Sequence, residues 1–233
     1  MILRSHLRAL PYVALLAVAC SGAEGSGAGA GGGPGTDAAP DVSYEPTPVD
    51  GSACNAVMQH HPILASPHVA TCSVLDYATN PPSSGPHYPA WPAFKSYDAP
   101  VPRGYWVHAL EHGAVIVLYS CTDCDDEVAA ARQWVDALPL DAVCAKNDSK
   151  RRVIISPDPL LPTRWAAAGW GATLRASCFE PAVFADFYER MHGAGPENFC
   201  AEGVDLDDGD GGLTVPPGCG TPAGAADGGP DGG

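Results

Sequence analysis

Between residues 53 and 200 the most apolar run is Ala114 to Tyr119, rich in β-branched side chains and directly preceded by Gly113. A continuous apolar stretch of this length predicts a buried strand, with a loop or short turn over Trp106–Gly113 leading into it. From Asp125 to Leu138 the pattern changes: Val128, Ala131, Val135 and Leu138 recur at helical spacings. Acids in the first turn and Pro139 beyond the end bracket that helix. Arg151 to Ser156 reads as a second short strand centred on Val153, Ile154 and Ile155. Strand, helix, strand in this order predicts a right-handed βαβ unit and a partly parallel sheet. Phe184, Phe187, Tyr188 and Met191 then follow i, i+3, i+4, i+7, with Pro181 at the first helical position and Gly193 at the stop. Met191 is read as core. Thr163 to Arg175, with Trp165 and Trp170 among small residues, fits either a strand or a helix. The fold class expected is α/β: a single compact domain with a small, partly parallel sheet containing a βαβ unit, flanked by disordered tails.

The pattern fades at both ends. Arg4, His6 and Arg8 precede an apolar run from Leu10 to Ala19, too short to span a bilayer and of the length of a signal-peptide core. Leu16-Ala-Val-Ala-Cys20 looks like a bacterial lipoprotein signal, which would leave Cys20 as a lipidated first residue; ordinary cleavage with an incidental thiol is the alternative. Residues 20–52 are rich in Gly, Ala and Pro and read as a flexible tether, whose reach for about 30 residues is on the order of 30 Å. Residues 53–200 form the expected domain and 201–233 a disordered acidic, Gly-rich tail. Asp205, Asp207, Asp208 and Asp210 in that tail do not fall into the register of a calcium loop.

Charge and cysteine count narrow the setting. The formal charge is −15; removing residues 1–19 takes away Arg4 and Arg8 and no acids, giving −17, so nucleic acid is not an expected partner. Nine cysteines less Cys20 leave eight, an even number that predicts disulfides in an exported protein. The place expected is the bacterial cell envelope, on its periplasmic or cell-surface side, with the membrane as partner through the lipid.

Candidate chemistry gathers on histidines. His108 and His112 are four apart, so their rings share a face in a helix or a strand; Glu111 stays near His108 only in a helix. His87 sits in Asn80-Pro-Pro-Ser-Ser-Gly-Pro-His-Tyr-Pro89, where dense prolines dictate a stiff loop, and His68 lies upstream. Neutral imidazoles with a carboxylate suit copper or zinc.

Tyr77 to Trp91, Pro100-Val-Pro102, Trp106-Val-His-Ala-Leu-Glu-His-Gly113 and Gly195-Pro-Glu197 together resemble a bacterial domain family of unknown function found in exported or membrane-attached proteins. That family is marked by an asparagine-proline-proline…serine-glycine-proline-histidine segment and a tryptophan-valine-histidine-x-leucine-glutamate-histidine-glycine segment. The likeness spans His68 to Glu197, with His68, Pro81, Pro82, Gly85, Pro86, His87, His108, Glu111, His112 and Gly113 at matching positions. The Cys121/Cys124 pair lies outside the shared pattern.

Several readings compete. In the first, His108 and His112, with His87 or His68 as a third ligand and Glu111 as ligand or ligand-orienting group, hold copper or zinc. Against it stands a plain structural role, with hydrogen-bonded histidines pinning the proline-rich loop to the sheet. His108-Ala-Leu-Glu-His112 also satisfies the H-x-x-E-H pattern of some metallopeptidases, although glycine and a strand follow at once. Cys121-Thr-Asp-Cys124, between a strand and a helix N-terminus, is the thioredoxin-like arrangement for thiol–disulfide exchange, opposed by Asp123, Asp125, Asp126 and Glu127. A non-catalytic envelope interaction module is the remaining alternative.

Overall fold

A computed structural model describes residues 42–144 and 151–214; Cys20, the expected signal segment and most of the expected tether lie outside them. Six strands form one mixed sheet in the order β1-β2-β6-β5-β3-β4: β1 Thr47–Pro48, β2 Val57–His60, β3 Val115–Tyr119, β4 Val153–Pro157, β5 Trp165–Gly169 and β6 Ala172–Ala176. Three helices accompany it: α1 Arg103–Glu111, α2 Asp125–Ala137 and α3 Pro181–Met191. β3 pairs with β4 in parallel across α2, with Ile116 opposite Ile154, so the expected βαβ unit is present. The other pairings are antiparallel.

β3 is apolar without interruption because both its faces are covered. Val115 and Val117 point with Val153, Ile155 and Trp165 into a core closed by Val128 and Ala131 of α2 and Phe184, Phe187 and Met191 of α3. Ile116 and Leu118 point with Ile154, Ala166 and Ala168 the opposite way, under Trp106, Val107 and Leu110 of α1. The small residues of β5 permit close approach: a Cβ on Gly169 would stand 2.6 Å from Met191 Cβ. Met191 is thus a core residue, 5% exposed.

Several expectations need correction. Trp106–Glu111 is not a loop but most of α1, and only His112 and Gly113 form the turn into β3. The ambiguous Thr163–Arg175 region is a β-hairpin, β5 to β6, turning at Gly171 with φ +74°. Packing also extends beyond 53–200. β1 lies within the segment assigned to the tether, and Val49 packs on the α2/α3 side of the sheet. Residues 201–214, assigned to the tail, return along the domain: Val204 bridges Pro92, Leu206 is 2% exposed, and Asp205 and Asp207 hold Lys95 at 2.8 and 3.0 Å.

Three disulfides join described residues: Cys54–Cys178, Cys121–Cys124 and Cys144–Cys200. Cys72 is disulfide-bonded as well. Bridges of this number point to an oxidising, extracytoplasmic compartment. Their sequence separations are 124, 3 and 56. On a chain-entropy argument the long loops stabilise by about 5 and 4 kcal/mol and the short one by only about 2 kcal/mol. Among the described residues no helix is long and apolar enough to cross a membrane.

Candidate metal centre

Three chain segments converge at the C-terminal half of α1. The proline-rich loop is not a surface excursion: Pro81, Pro82, Ser83 and Ser84 are buried, and Gly85 reverses the chain with φ +113°. Tyr77 donates its hydroxyl to the Pro86 carbonyl at 2.9 Å. The preceding segment pairs with this loop, Val69 N–H to His87 O at 2.8 Å and His87 N–H to Pro67 O at 3.2 Å, which sets His68 beside His87. Tyr88 N–H then donates to Gly104 O at 2.9 Å, locking the loop to the first turn of α1. A side chain at Gly104 would collide with the Tyr88 ring.

On α1 itself, His108 and Glu111 are one turn apart and share a face. The outcome is a group of four: one ligand atom each from His68, His87, His108 and Glu111, all within 4.8 Å of one another. His87 and His108 are buried, Glu111 half-buried and His68 exposed, so one side opens to solvent.

The hydrogen bonds fix the ring tautomers. His87 Nδ1 lies 2.9 Å from Gly85 O and His108 Nδ1 2.6 Å from Tyr88 O. A carbonyl only accepts, so each Nδ1 carries the proton and donates. In the neutral rings Nε2 is then a bare lone pair. His87 Nε2 faces Glu111 Oε2 at 3.2 Å without the alignment of a hydrogen bond, and it has no hydrogen-bond partner. A lone pair against a carboxylate is repulsive unless a proton or a metal cation lies between them. Burial pushes His108 down to about 4, against the pull of the Tyr88 carbonyl, so its ring is neutral and able to ligate at ordinary pH.

His112 adjoins this group, its ring centroid 4.7 Å from that of His108, but supplies none of the four ligand atoms. As the residue closing α1 it turns toward Phe199 and Trp91, with ring centroids 4.0 and 4.6 Å away. Its Nδ1 stands 3.5 Å from Glu197 Oε2, and neither ring nitrogen has a hydrogen-bond partner. Burial brings it too to about 4. The four-ligand group therefore takes His108 and Glu111 of the H-x-x-E-H pattern and leaves His112 aside.

Residues 68–202 match the family described as "Protein of unknown function (DUF3105)". The chain belongs to the DUF3105 family. The match spans all four converging residues. No curated protein and no solved structure matches the chain.

Two contributions of this DUF3105 chain escaped the sequence reading. Arg152, 1% exposed, donates from Nη1 to His112 O and Asn198 Oδ1, both at 2.6 Å, and from Nε to Asp141 Oδ2 at 2.6 Å. It pins the end of α1 to the segment after α3. Burial pushes the Asp141 carboxyl up, yet Arg152, the Val143 N–H and His192 outweigh that and hold it below the usual range. Glu197 N–H donates to Glu111 O at 3.0 Å, and Gly195 lies so close that a Cβ there would run into Glu111 O, Gly113 N and Leu110 O. These obstacles are all backbone. Gly195→Ala should therefore cost about 1–3 kcal/mol, lowering Tm by roughly 3–10 °C in a thermal melt and weakening whatever Glu111 binds.

Proposed function

We propose that this protein is a lipid-anchored bacterial envelope module that binds zinc or copper through His68, His87, His108 and Glu111. The observation carrying the reading is that buried His87 and His108 each spend an Nδ1 proton on a backbone carbonyl, that His87 turns a partnerless Nε2 toward the Glu111 carboxylate, and that these residues and His68 bring one ligand atom each within 4.8 Å of one another. Metal-ligating histidines characteristically donate their other ring N–H to such an acceptor. Three neutral imidazoles and one carboxylate are borderline donors that suit zinc and copper, and a +2 ion would offset the carboxylate with one positive charge remaining. Tetrahedral coordination at about 2.0–2.1 Å needs ligand atoms roughly 3.3 Å apart, so the present spread closes with small ring rotations, His68 being the freest to move. The disulfides support export, and Cys20 with the stretch behind it supports a lipid-tethered domain held off the membrane.

Elemental analysis and calorimetric titration of the full chain with zinc and with copper test the binding. One ion per chain is expected, with His87→Ala and His108→Ala each losing at least about 100-fold in affinity and His112→Ala losing far less. No stoichiometric ion with either metal would end the proposal. A loss on His112→Ala equal to that on His108→Ala would move the ligand set back to the H-x-x-E-H pair.

A further inference from the structure

The order β3, α2, β4, β5, β6, α3, with the strands lying β4-β3-β5-β6, β3 parallel to β4 and the β5–β6 hairpin antiparallel beside β3, is the strand order on which thioredoxin-like proteins carry their redox pair, here with turns in place of a helix between β4 and β5. In that layout the two cysteines sit where the first strand hands over to the helix, and here Cys121 and Cys124 do so, with Cys124 as the N-cap of α2. Layout alone carries no activity. The residues around the bridge carry the rest. We propose that Cys121–Cys124 is an exchangeable redox pair that trades two electrons with the dithiol or disulfide of a partner protein.

Three features favour exchange over stapling. Exposure is divided as exchange requires: Cys124 is 4% exposed, whereas Cys121 is only half-buried. The bridge spans only three positions, the shortest of the described disulfides, and it joins β3 to a helix already fixed by Val128 and Ala131 in the core. It therefore adds little to the fold, while Cys54–Cys178 and Cys144–Cys200 close the long loops. The segment entering β5 lies directly against the bridge. Ser120 N–H donates to Arg164 O at 3.0 Å, the Ser120 hydroxyl to Thr163 O at 3.0 Å, and Cys121 Sγ is 3.9 Å from Arg164 O.

The acids that oppose a thiolate are partly occupied. Arg164 pairs with Asp123 at 2.7 Å and Glu127 at 3.1 Å, and Glu127 also accepts from the Phe179 N–H at 2.8 Å. Asp125 and Asp126 stay exposed on the first turn of α2. Uncompensated negative charge disfavours the thiolate, so the pair leans to its disulfide form and acts as a weaker oxidant than a C-x-x-C in a basic setting.

The exchange balances. A partner thiolate attacks Cys121 Sγ and breaks the bond to Cys124, which leaves as a thiolate and takes up a proton. The partner's second thiolate then attacks the partner sulfur of the mixed disulfide, closing the partner's own disulfide and releasing Cys121, which is protonated in turn. Two electrons pass from the partner dithiol to Cys121/Cys124, and the reverse sequence returns them.

Insulin reduction by dithiothreitol in the presence of the full chain tests this. Turbidity should develop at least about tenfold faster than with dithiothreitol alone, and Cys121→Ser and Cys124→Ser should each fall to background while keeping the wild-type circular dichroism. Because a variant could fail for structural reasons, the wild type is also treated with limiting dithiothreitol, alkylated and mapped by mass. Cys121 and Cys124 should label at least about tenfold faster than Cys54, Cys178, Cys144 and Cys200. Cys124→Ser should also accumulate a stoichiometric mixed disulfide at Cys121 with oxidised glutathione. Insulin reduction no faster than the reductant alone, or a Cys121–Cys124 bridge that resists reduction as firmly as the other two, would overturn the proposal.

Discussion

Arg152→Met is expected to destabilise the protein by about 3–5 kcal/mol, a fall in Tm of roughly 10–15 °C for a domain of this size. The reasoning is electrostatic. Arg152 and Asp141 are 1% and 2% exposed at their side chains and 2.6 Å apart, so removing the guanidinium leaves a carboxylate buried with only His192 and the Val143 N–H for company. The same change frees the His112 carbonyl and Asn198. A double variant, Arg152→Met with Asp141→Leu, should recover part of the loss, because an apolar pair of similar volume no longer buries an unpaired charge. Thermal melts of the three proteins check this. A single variant melting within about 2 °C of wild type would show that the pair contributes nothing.

The second large effect is a dependence on pH in chelator-treated protein. His108 and His112 are held by burial at about 4, against 6.5 for an exposed ring. Between those values the unfolded chain binds more protons than the folded one, so stability rises with pH. The contribution is complete above pH 6.5 and is lost as pH falls through 4. At about 1.4 kcal/mol per unit each ring supplies at most about 3.5 kcal/mol, less where water reaches it. Urea midpoints in chelator should drop steadily from about pH 6.5 to about pH 4.5, and His112→Phe should flatten part of the slope. A midpoint constant over that range would mean both rings titrate as exposed ones. At His108 itself, protons compete with a metal only near pH 4.

How much of this was legible depends on how each segment is buried. β3, β4, α2 and α3 announced themselves, the helices because one apolar stripe faces the sheet and the other face is polar. α1 did not, since Gly104 to Leu110 are all buried and no polar face marks a period. β5 and β6 were blurred by Ala166-Ala-Ala-Gly169, small residues that fit beneath α1 on one face (Ala166, Ala168) and α3 on the other (Ala167, Gly169) and carry little strand preference. For the site, His68, His87, His108 and Glu111 could be named from residue type and order. What separates His112 from them is the end of a helix that the sequence reading had not placed. Arg152 carried only a faint signal, a charge at the mouth of an apolar strand. Leu206 and Leu213 did the same in the acidic segment, large apolar side chains among aspartates and glycines.

From residue 61 to residue 102 the chain runs through bends, turns and single bridges without a helix or an extended strand, and two of the four converging side chains lie in it. A cation seated there would rivet residues 68, 87 and 108 together, acting as a further cross-link on a stretch that lacks a ladder of its own. The lifetime of the molecule among extracytoplasmic proteases would then follow the supply of that ion in its compartment.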